Sequence, residues 1–100
     1  MAEQRETVVG IIFKALASLN EERDSKVKIP IDLDTPLFGG SSLLDSLSLV
    51  SVIVDVETDV SDAFGVSVSL TDDRALGQQV SPFSSVAAMA DYTVVLLNQG

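Results

Sequence analysis

The stretch Leu47–Phe64 constrains the fold more than any other part of the chain, because it runs without Gly or Pro and is largely apolar. Its β-branched residues, Val50, Val52, Ile53, Val54 and Val56, favour a buried strand on propensity alone. The run is too long for an ordinary strand, however, and Leu49, Val52, Ile53, Val56, Val60 and Phe64 fall at helical steps. The spacing predicts a helix over residues 45–64, with Asp45 as its N-cap and Gly65 as its stop.

Two further helices follow from the same periodicity. Val8, Ile12, Ala15, Leu16 and Leu19 predict one over residues 5–20, with Val9 and Phe13 widening the stripe. Val86, Met89, Ala90, Thr93 and Leu97 predict a last helix to about residue 97, capped by Ser84 and stapled by Phe83 against Ala88. Thr71-Asp72-Asp73 is expected to start a short helical turn ending near Leu76. Before it, Val66, Val68 and Leu70 alternate with serines and read as extended chain. Residues 21–44 have no period and hold Pro30, Pro36, Gly39 and Gly40, which makes a long loop. Ile29, Ile31, Leu33, Leu37 and Phe38 are expected to pin that loop to the core. The whole of residues 1–100 is expected to form one all-α domain, a helical bundle with its core over about residues 5–97.

What the chain lacks narrows its chemistry. It has no Cys, so a thiol nucleophile, a disulfide and a Cys-ligated metal are excluded. It has no His, so an imidazole base and an ordinary Ser-His-Asp triad are excluded too. An unaided enzyme is not expected, and no metal site is expected either. The EF-hand pattern is absent because no Gly follows the acids where such a loop needs it.

Charge is unevenly spread. Residues 1–29 balance five bases against five acids, while residues 30–100 carry ten acids against Arg74 alone, giving the net charge of -9. Such a surface repels nucleic acid and anionic lipid and attracts basic proteins. The N-terminal apolar run is broken by Lys14 and preceded by Glu3 and Glu6, unlike a signal peptide. No stretch is apolar enough to span a membrane, and a monomeric cytoplasmic protein is expected.

Asp45-Ser46-Leu47 stands where the long loop meets the second helix. Alone it is a weak signal, since all three residue types are abundant in this chain. The plain reading is a helix start: Asp45 caps, and Ser46 is an ordinary first-turn residue. The functional reading places Ser46 at a helix N-terminus, where free N–H groups and the dipole favour an attached phosphate. Asp55, Asp59 and Asp62 step by four and three and so share a face of the same helix.

The order of signals resembles the acyl carrier protein family. These are a first helix, a loop with Asp34-Thr35-Pro36-Leu37-Phe38, Asp45-Ser46-Leu47 opening a second helix, Phe64-Gly65-Val66 ending it, and Phe83-Ser84-Ser85-Val86 opening the last. The resemblance covers about residues 5–97 and implies a four-helix bundle of the acyl-carrier type. It implies that Ser46 is esterified with 4′-phosphopantetheine, with Asp45 and Leu47 beside it. Tyr92 matches an aromatic common near the end of the family's last helix. It also implies a docking face on the second helix, made of Val50, Val54, Asp55, Asp59 and Asp62, for enzymes with basic surfaces. The implied partners are a phosphopantetheinyl transferase and acyl-loading and acyl-transferring enzymes. An aminoacyl or peptidyl carrier is a close variant that the sequence does not exclude, and the alternative class is an acidic helical interaction module with Ser46 unmodified.

The chain departs from the family pattern in three places. Leu43 stands where the family has a Gly two residues before the Asp, and the second helix opens with Ser48 and Ser51 in place of acids. The stretch from Ser46 to Phe64 is also about one turn longer than usual. These departures point to a specialised member.

Overall fold

A computed structural model describes residues 2–21, 29–38, 44, 46–70 and 83–99. Three helices are present among them: α1 (Ala2–Asn20), α2 (Ser46–Phe64) and α3 (Val86–Gln99). The β-branched run of α2 is helical because one face of it is buried. Leu49, Val52, Ile53, Val56 and Val60 are each at most 7% exposed, and such packing outweighs weak intrinsic propensity. The helix ends at Gly65, whose φ of 68° is the left-handed conformation that only glycine adopts without cost. Its N–H donates to the Ser61 carbonyl at 2.9 Å, closing the last turn.

Helix α1 is the hub. Both α2 and α3 pack against it, and no comparable contact joins α2 to α3. Val8, Ile12, Ala15 and Leu16 form its buried stripe, as the periodicity predicts, while Leu19 is half-buried. It starts at Ala2, three residues before the expected start at residue 5, because long-range bonds hold its first turn to α3. Arg5 Nε lies 2.8 Å from Asp91 Oδ1, and Asn98 Nδ2 donates to Gln4 Oε1 at 3.2 Å. Val86, Met89, Ala90 and Thr93 of α3 are buried; Tyr92 and Leu96 join them, with Leu97 only half-buried.

The connections hold two departures from expectation. Helix α3 begins one residue later than expected, with Ser85 as cap: its Oγ accepts from the Ala88 N–H at 3.1 Å. With Ser85 as the cap, Phe83 stands one residue before the staple position, and it packs half-buried against the core. In the loop, Ile29 and Leu37 are buried, but Ile31, Leu33 and Phe38 are 40%, 39% and 60% exposed. The reason is a polar turn. Thr35 Oγ1 donates to the Pro30 carbonyl at 2.7 Å and accepts from the Asp32 N–H at 3.2 Å, so Thr35 takes the buried position. The carbonyls of Thr35 and Leu33 then accept from the N–H groups of Val86 and Ala87, at 3.0 and 2.9 Å, capping α3 from outside.

Past Gly65, Val66 is exposed, Val68 half-buried and Leu70 fully buried, so the expected extended piece enters the core at its end. The short helix expected from Thr71 to Leu76 lies outside the described residues. The result is an all-α domain with a radius of gyration of 12.8 Å, close to the value of about 13 Å typical of a compact domain this size.

Candidate functional site

The backbone of Ser46 is the first residue of α2. Its side chain, and the whole of Asp45, lie outside the described residues. The first turn of α2 contains no acid, so nothing on the helix itself neutralises its positive end. Four acids follow later, at Asp55, Glu57, Asp59 and Asp62, with no base anywhere in the helix. Asp59 and Asp62 sit toward the C-terminal end, where the dipole disfavours anions. Charge on α2 is therefore placed against helix stability at its C-terminal end, which leaves a negative outer surface.

The N-terminal half of α2 is apolar on both faces. Leu47 is 81% exposed, Val50 55% and Val54 51%, and their spacing puts them in one outward stripe. Exposed apolar residues standing singly need no explanation, but three in one stripe on a helix make a patch suited to contact. The inward residues Leu49, Val52, Ile53 and Val56 already secure the helix, so the outward stripe adds little to folding. Asp55 and Asp62 are exposed and Asp59 is half-buried, which inclines the acidic row toward the protein at its middle. The structure thus brings Leu47, Val50, Val54 and Asp55 together on accessible surface.

A groove of about 420 Å³ runs between α1 and α2 beside this stripe. Ala15, Ser18 and Leu19 line it from α1, and Val50, Ser51, Val54 and Asp55 are among its α2 residues. The α1 wall has no signature in the sequence, since Ala15 and Leu19 read simply as core. Glu57 is the other residue the sequence left without a role. Its Oε2 accepts from the Leu70 N–H at 2.7 Å, anchoring the chain that leaves α2. Tyr92 is buried in the core, away from solvent.

No group of three or more Asp and Glu side chains among the described residues is placed to hold a metal ion. No helix among them is long and apolar enough to cross a membrane. Comparison with protein-family models, with curated proteins and with solved structures finds no match. The fold and surface define a small helical domain suited to protein–protein contacts.

Proposed function

We propose that this protein is a free-standing acyl carrier protein, with 4′-phosphopantetheine esterified to Ser46. The observation that carries the reading is the start of α2: Ser46 opens the helix, its first turn is free of acid, and Leu47 beside it is exposed. A phosphodiester there meets the positive end of the helix dipole. In this reading Asp45 is the acid next to the attachment site, and Leu47 offers exposed apolar surface beside the arm. The bound group supplies the thiol that this chain lacks, on which acyl groups ride as thioesters.

The protein is then a substrate of enzymes and not an enzyme itself, working in the cytoplasm. Its transferase and the enzymes that load and unload it dock through Val50, Val54, Asp55, Asp59 and Asp62, with basic residues of their own facing the acids. The late position of those acids and the apolar first turns fit a specialised pathway better than a general one. An aminoacyl or peptidyl cargo fits the same residues. A second reading, an interaction module with Ser46 unmodified, is favoured by the apolar stripe, which needs no arm to bind a protein.

Position decides between them. After incubation with coenzyme A and a promiscuous transferase, peptide mapping is expected to place the arm on Ser46. Ser46→Ala should remove it while leaving helical circular dichroism unchanged. An arm found on Ser42 or Ser48 contradicts the assignment.

A further inference from the structure

A second apolar groove lies between α1 and the 29–38 loop. It holds about 350 Å³, is lined by Val9, Gly10, Phe13 and Leu33, and has Arg5 and Glu6 at its edge. Val9 and Phe13 are half-buried and Leu33 is 39% exposed, so the apolar walls stay open to solvent. Gly10 is exposed, and an added Cβ there would meet nothing within 4 Å. With no positive φ, the fold has no need of glycine at that point, and glycine weakens the helix. What a glycine does supply is close approach of another backbone. Charge is arranged evenly about it: Glu6 stands four residues before Gly10 and Lys14 four residues after, both exposed. Within one helix they lie about 12 Å apart along the axis and form no ion pair with each other. Neither has an opposite charge three or four residues away in α1.

We propose that two copies of this chain pair through this face, with their α1 helices antiparallel and crossing at Gly10. A two-fold axis there sets Glu6 of each copy level with Lys14 of the other, so one geometry makes the same ion pair twice. Phe13 of each copy falls beside the other's groove and packs against its Val9 and Leu33. Charge chooses a second copy over other occupants. The net charge of -9 arises wholly in residues 30–100, while α1 balances Glu3 and Glu6 against Arg5 and Lys14. Of the three helices α1 alone carries bases, so it is the helix on which two copies of an acidic chain meet with matched charge. A pair of this kind replaces the monomer expected from the sequence. The contact uses no residue of α2 and does not rest on the carrier reading.

The test is sedimentation equilibrium of the full chain at concentrations up to about 1 mM, where even a weak contact populates the pair. The mass is expected to rise from one chain to two, with concentration-dependent amide shifts centred on Glu6, Val9, Gly10, Phe13 and Lys14. Glu6→Lys and Lys14→Glu, both at exposed positions and checked for retained helical dichroism, should each weaken pairing about tenfold, because each sets like charges together twice. Mixing these two variants in equal amounts should restore pairing, since each chain then meets the charge it lost. A merely structural effect of either substitution would not be rescued in this way. Gly10→Gln keeps a good helix former at an exposed site and should also weaken pairing, by holding the two backbones apart. A mass of one chain at every concentration, pairing indifferent to these variants, no recovery in the mixture, or shifts centred on α2 or α3 would overturn the proposal.

Discussion

Asn20 and Ile29 exchange two hydrogen bonds across the start of the long loop. Asn20 Nδ2 donates to the Ile29 carbonyl at 2.9 Å, and the Ile29 N–H donates to Asn20 Oδ1 at 2.7 Å. Both residues are buried, so the amide side chain satisfies a backbone that water cannot reach. Asn20→Ala should cost about 1–3 kcal/mol, because it strands a buried donor and acceptor. The check is a lower urea midpoint at an unchanged slope. An unchanged midpoint would mean that this clasp does not hold the loop to α1.

Two glycines should move stability in opposite directions. Gly10 lies exposed within α1, has no positive φ, and an added Cβ would meet nothing within 4 Å. Gly10→Ala should therefore stabilise by about 0.5–1 kcal/mol, raising Tm by several degrees. Gly65 has φ of 68°, and Gly65→Ala should cost about 1–2 kcal/mol although space is open there too. Thermal unfolding of both variants is the measurement.

Thr35 links the loop to α3. Thr35→Val keeps the shape and removes the hydroxyl that serves Pro30 and Asp32. A loss of about 1–3 kcal/mol is expected. Because the turn also presents the carbonyls that cap α3, amide exchange should quicken at Val86 and Ala87 before it does at Met89.

Screening should tighten the fold without a specific ion. Ten acids against one base after residue 29 repel each other, and salt shortens the range of that repulsion. With no acidic cluster placed for a metal among the described residues, NaCl and MgCl2 at matched ionic strength should raise Tm equally. A larger gain with Mg²⁺ would reveal a binding site.

The helices were legible where one face is buried. Val52, Val56 and Val60 fall at helical steps, and that period outweighs their β-branched shape once α1 covers them. Gly65 was legible as a stop because few residues tolerate its φ. The connections were not, because their order comes from long-range polar contacts that leave no periodic trace. Asn20 to Ile29, Thr35 to the start of α3, and Glu57 to Leu70 are all of this kind. Leu33 and Phe38 looked like anchors on hydrophobicity, yet the turn around Thr35 holds a hydroxyl inward in their place. At the candidate site, the motif named Ser46, and the sequence placed the acids on α2. The groove wall from α1 needed the packed structure, since nothing in Ala15, Ser18 or Leu19 marks a surface.

The central claim is that Ser46 accepts one phosphopantetheine arm, and the intact mass of the full chain tests it most directly. The protein is incubated with coenzyme A and a promiscuous phosphopantetheinyl transferase, alongside the Ser46→Ala variant. The account predicts a gain of one arm per wild-type chain and none on the variant. An unchanged wild-type mass, or an equal gain on both proteins, would contradict it.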